Sequence, residues 1–129
     1  MRGMNLEQKT ALAHVNDMGL AATAIRLRAA FMLTGLKRHQ DLAEAAGVSK
    51  TVLSNAMAGS TYPNRDVLKY LHRAHRIDFN FMMNGDFAQL PGDVQDRLFQ
   101  ALEAANSEWD QKEDSGRSQV ARRASPQRT

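Results

Sequence analysis

The chain has 129 residues, 43% apolar and 24% charged, with a net charge of +3, four histidines and no cysteine. That length and apolar share suit one compact domain with extensions and exclude wholesale disorder, while the missing cysteines exclude disulfides, thiolate metal sites and a cysteine nucleophile. The opening Met1-Arg2-Gly3-Met4-Asn5-Leu6-Glu7 lacks the apolar core of a signal peptide, and no run reaches the ~20 apolar residues of a membrane span, so a soluble, cytoplasmic protein is expected.

Residues 1–19 read as an arm or as a short helix over 5–18, with Asn5 as N-cap, Gly19 as stop and a loose pattern of Leu6, Leu12, Val15 and Met18. A firmer helix is predicted over 21–33, where Ala24, Leu27 and Phe31 share a face, Arg26 points away and Thr34-Gly35 makes the break. Helices over 39–46 and 49–58 follow, separated by Gly47-Val48. The stretch Gly59 to Asn64 has strong turn chemistry, and a helix over 65–75 sets Val67, Leu68, Leu71 and Ala74 on one side. Phe79 to Asn84 makes a short helix closed by Gly85. After Leu90-Pro91-Gly92, residues 93–109 are amphipathic, with Val94, Leu98, Leu102 and Ala105 in one stripe and Phe99 and Trp109 near it. Beyond Asp110 the chain is polar and is expected to be a disordered basic tail over 111–129. Abundant alanine and leucine with few breakers favour helices over strands, so the expected fold class is all-α.

Charge is unevenly spread. From Arg26 to Arg76 there are nine Lys/Arg against three acids, a net +6, whereas Ile77 to Asp110 holds seven acids and Arg97 alone, a net −6. The basic half suits a polyanion, and the acidic half is better kept away from one.

The informative segment is Gln40-Asp41-Leu42-Ala43-Glu44-Ala45-Ala46-Gly47-Val48-Ser49-Lys50-Thr51-Val52-Leu53-Ser54-Asn55. Two helices crossing steeply need a small residue where they touch, which Ala43 supplies, and a turn with positive φ, which Gly47 supplies four residues later. Val48 fills the space between the helices, Leu42 and Leu53 point into the core, and Ser49 is a natural N-cap. The second helix then exposes Lys50, Thr51, Ser54 and Asn55, donors and acceptors with no acid among them, as a reader of the DNA major groove requires. An ordinary helical hairpin is the plain alternative for the motif taken alone.

Residues from about Ile25 to Asp86 resemble the helix-turn-helix domain of lambda-type phage repressors, within the Cro/C1-like group. The match runs through Asp41 to Lys50 and Val52-Leu53-Ser54-Asn55. It continues over Tyr62-Pro63 and the Leu68/Leu71 helix to the closing Ile77-Asp78-Phe79-Asn80-Phe81-Met82-Met83-Asn84-Gly85. Two positions depart from the pattern: Ala56 stands where the family commonly has a large apolar residue, often tryptophan, and Phe81-Met82 replaces a common Trp-Leu. The resemblance implies a compact five-helix helix-turn-helix bundle over 20–90, to which 91–110 adds the amphipathic helix. It implies Lys50, Thr51 and Asn55 as base readers, with Gln40, Ser49 and Ser54 positioned on phosphate. Arg65, after the Pro63 turn, is placed to grip the backbone, and Lys37 and Arg38 add salt-dependent attraction.

The expected function is a sequence-specific transcriptional regulator, a repressor, bacterial or phage-encoded and nucleoid-associated. It would bind double-stranded DNA as a homodimer on an inverted repeat, with Val94, Leu98 and Leu102 as the dimerisation stripe unless that helix folds back. The alternative is an antitoxin-like or partner-controlled regulator whose C-terminal half binds another protein. A third reading is an interaction module that has lost DNA binding. The tail residues Arg117, Arg122, Arg123 and Arg128 are either a loose attraction for DNA or a partner, or solvated charge. His72 and His75 are i, i+3 on one helix, but no further ligand pair has zinc spacing, so no metal is expected. Asp93 and Asp96 suit a helix N-terminus. No Gly-rich phosphate loop, serine elbow or paired buried carboxylates occur, so neither enzyme activity nor a cofactor is expected.

Overall fold

The computed structural model describes the backbone of residues 4–124 and the side chains of residues 4–113. Among the described residues the chain forms helices and no strand: α1 (Leu6–Ala13), α2 (Leu20–Thr34), α3 (His39–Ala46), α4 (Lys50–Ala58), α5 (Arg65–His75), α6 (Phe79–Asn84) and α7 (Gly92–Ala124). None of them is long and apolar enough to cross a membrane.

Local side chains set most helix starts. Asn5 and Gln8 close a reciprocal box on α1, each side chain accepting from the other's backbone N–H at 2.8 and 2.9 Å. Asn64 accepts from Asp66 N at the head of α5 (2.7 Å), and Asp78 accepts from Phe81 N at the head of α6 (2.9 Å). Gly19, expected to stop the first helix, is instead the N-cap of α2. The first helix closes earlier, on His14, which takes a left-handed conformation (φ 53°). Histidine tolerates that region better than most residues, and here the His14 imidazole donates from Nε2 to Asn106 Oδ1 (2.6 Å), while Asn106 donates to the Leu12 and Leu102 carbonyls.

The centre of the molecule is α2. Ala22, Thr23, Ala24, Ile25, Arg26, Leu27, Ala29, Ala30 and Leu33 are all buried, which leaves no solvent face over most of its length. α4, α5, α6 and α7 all pack on it, α1 rests on α7, and α3 bridges α4 and α5. Ala74, expected on the inner face of α5, is exposed.

Arg26 does not point away from the core, as its charge suggested; it is 0% exposed. Its Nε donates to the Met82 carbonyl, Nη1 to those of Ala13 and His14, and Nη2 to those of Asp17 and Met83, at 2.6–3.1 Å. These oxygens lie at and just beyond the C-terminal ends of α1 and α6, where carbonyls lack helical partners and the helix dipole is negative. A planar fork of five N–H groups fits them as no aliphatic side chain could. Burial pushes the Arg26 pKa down to about 10, with Asp17 and Asp86 pulling it back up, so the group is charged at neutral pH.

Two other arginines act in the same way. Arg28 donates from Nε to the Met57 carbonyl at the end of α4 (2.9 Å), and Arg97 donates from Nη2 to the Leu33 carbonyl at the end of α2 (2.9 Å). Neither α2 nor α4 carries a basic residue in its own last turn, so the C-terminal cation comes from elsewhere in the fold.

The stripe of α7 faces inward. Val94, Leu98 and Leu102 are 1%, 0% and 0% exposed, with Phe99, Ala105 and Trp109 buried beside them. This corrects the expected dimerisation face: α2 has so little solvent face that the α7 stripe is needed to complete the core, and none is left for a second copy. The expected tail also begins as helix, because α7 continues unbroken to Ala124; extending a packed helix avoids a new nucleation step. Residues 125–129, with Arg128, lie outside the described residues, as do the side chains of Arg117, Arg122 and Arg123.

Candidate functional site

Three residues, Gly47-Val48-Ser49, join α3 to α4. Gly47 caps α3 at φ +78° with open space where a Cβ would stand, so the position demands only the left-handed backbone. Val48 N donates to the Ala43 carbonyl (2.9 Å), which tightens the reversal. Ala43 is buried at 1% exposure, and Leu42 and Leu53 are fully buried. Ser49 Oγ accepts from Val52 N (3.1 Å) and so starts α4.

With Leu53, Ala56 and Met57 turned inward, α4 presents Lys50, Thr51, Val52 and Asn55 to solvent, and Ser54 is half-buried. No acidic residue occurs between Lys50 and Ala58. Lys50, Thr51 and Asn55, the expected base readers, are therefore brought together on one exposed surface, and no part of the described chain covers it.

The flanking residues are less uniform. Lys37 and Arg65 are exposed and make no ion pair among the described residues. Arg38 is paired with Asp41 (2.9 Å), which raises the guanidinium pKa and lowers that of the carboxyl through their hydrogen bond. Gln40 is half-buried and donates to Glu44 Oε2 (3.3 Å). Ser49 already uses an oxygen lone pair as the α4 cap. Acids thus lie among these flanking residues of α3, whereas α4 carries none. Of the nine Lys/Arg between Arg26 and Arg76, Arg26 is buried and Arg28 is half-buried with its guanidinium 5.5 Å from the Trp109 ring, so the available positive charge is smaller than the sequence total.

Sequence reasoning did not select Val52 (38% exposed) or Tyr62 (49% exposed). Val52 was detectable by spacing, since it falls three residues before Asn55, at the edge of the exposed arc and four residues before buried Ala56. Tyr62 had no such signal: its exposure depends on how the 59–64 loop turns around buried Pro63.

The histidines are dispersed. His39 meets Phe31 edge-on (4.9 Å between ring centres), and His75 meets Tyr70 (5.6 Å), away from exposed His72. Burial lowers the pKa of both His39 and His75, and Arg28 and Arg97 respectively add to the effect. Among the described residues no three His, Asp or Glu side chains gather where they could hold a metal ion. No protein-family model matches the chain, and comparison with curated proteins and with solved structures returns no match.

Proposed function

We propose that this protein is a sequence-specific DNA-binding transcriptional regulator, a repressor, with α3 and α4 as a helix-turn-helix and α2 to α6 as its five-helix bundle. The observation that carries this reading is α4: a short helix, fixed from behind by three buried side chains, whose exposed surface offers Lys50, Thr51 and Asn55 without one carboxylate. A carboxylate there would face phosphate, and its absence leaves a surface compatible with the major groove. Lys50 would donate to guanine O6/N7 and Asn55 would pair with adenine N6/N7, each worth about 1–3 kcal/mol of discrimination. Thr51 would add a hydroxyl or methyl contact. Lys37, Arg38, Gln40, Ser49, Ser54 and Arg65 would hold the phosphates on either side.

One reading helix covers only a few base pairs, so two copies on an inverted repeat would supply the needed specificity. Such a homodimer must meet through a surface other than Val94, Leu98 and Leu102. The test is selection from random duplexes, with the parent and with a Lys50→Ala, Asn55→Ala double variant. The parent is expected to enrich a palindromic consensus. The double variant should keep only weak, salt-sensitive binding, and an unchanged consensus would place the reading surface elsewhere.

A further inference from the structure

Val52 is the one large apolar side chain exposed on α4; it stands at the edge of the exposed arc, four residues before buried Ala56, and is 38% exposed. A β-branched residue in an exposed helix interior is less favourable than alanine. Isolated apolar residues are common on protein surfaces; the position of this one is what matters, directly after Lys50 and Thr51 and three residues before Asn55. The Val52 side chain can neither donate nor accept a hydrogen bond. The one apolar group that the major groove displays is the C5 methyl of thymine.

Resting on the DNA-binding reading, we infer that Val52 is a specificity-determining residue that packs on a thymine methyl close to the adenine read by Asn55. Residues three apart on a helix have Cβ atoms about 5–6 Å apart, and base pairs rise about 3.4 Å per step. The thymine therefore lies one or two steps from that adenine. The half-site carries an obligatory A·T pair for Asn55 and a second T for Val52.

The decisive experiment uses the full chain and its best selected duplex, with each thymine replaced in turn by deoxyuridine, which removes the methyl and nothing else. The parent should lose affinity about fourfold at one thymine per half-site, the value of one buried methyl (about 0.8 kcal/mol). Val52→Ala, which puts a better helix former at a partly exposed position and should still give a single cooperative melt, should bind the thymine and deoxyuridine duplexes equally at that site. Thr51→Ser should keep the parent's sensitivity there. The inference is overturned if no thymine methyl matters, if Val52→Ala stays sensitive, or if Thr51→Ser removes the effect. Those outcomes leave DNA binding itself standing; a parent protein that enriches no duplex at all removes both.

Discussion

The Arg26 guanidinium holds five carbonyl oxygens from the ends of α1 and α6 and the turn after α1. Replacing it with methionine fills similar space but leaves those acceptors buried without donors. The expected loss is about 3–5 kcal/mol, measured by urea unfolding. Lysine, with a flexible point charge in place of a planar fork, should recover only part of it. Two histidines add a dependence on pH. His39 and His75 have folded pKa values below the ordinary value, so the unfolded chain binds protons more readily than the native one. Their contribution is intact above the unfolded pKa of about 6.5 and is lost as pH falls below it. The urea midpoint should drop between pH 7.5 and pH 5, and a His39→Gln, His75→Gln variant should show a flatter profile. Arg26 could not have been placed from sequence. A helical wheel sorts side chains by polarity, and main-chain carbonyls brought in from residues 13 to 17 and 82 to 83 leave no mark in any pattern.

Helix limits follow a different logic, because the forces that set them are mostly local. Asn5, Ser49, Asn64 and Asp78 are short polar caps acting within three residues of themselves, and they start α1, α4, α5 and α6 where the sequence places them. Gly35, Gly47, Gly59 and Gly85 end α2, α3, α4 and α6 for an equally local reason. Gly19 misled because glycine also serves as an N-cap. Two of these glycines should respond differently to alanine. At Gly47 only the backbone conformation resists, at about 1–2 kcal/mol. At Gly85 the added Cβ would also stand 2.5 Å from the Ala13 carbonyl and 3.1 Å from an Arg26 nitrogen. Gly85→Ala should therefore destabilise clearly more than Gly47→Ala, as paired thermal melts would show. The α4 surface was legible because inward and outward residues alternate at helical spacing. Val52 escaped notice only because it is apolar, and apolar residues are read first as core.

At the scale of the whole molecule, α7 belongs to the fold. Its buried stripe lies along α2, Arg97 caps the end of α2, and Asn106 ties in the end of α1. A chain ending at Pro91 is expected to lose its cooperative melting transition, whereas one ending at Glu113 should retain it; circular dichroism separates the two. From sequence the same stripe reads first as a pairing face for a second copy and only alternatively as packing back, since amphipathicity specifies that a face is covered but not by what. Its last anchor has a practical consequence. The ring of Trp109, the only tryptophan in the chain, has Arg28 at 5.5 Å and Lys112 at 4.4 Å from its centre, with its edge 2.9 Å from where a side chain at Gly59 would begin. It thus lies beside the C-terminal end of α4 without reaching the exposed surface. Its ultraviolet emission is a built-in optical reporter of that junction, so a duplex titration could be followed on the unlabelled protein, provided that engagement of α4 shifts the end of the helix.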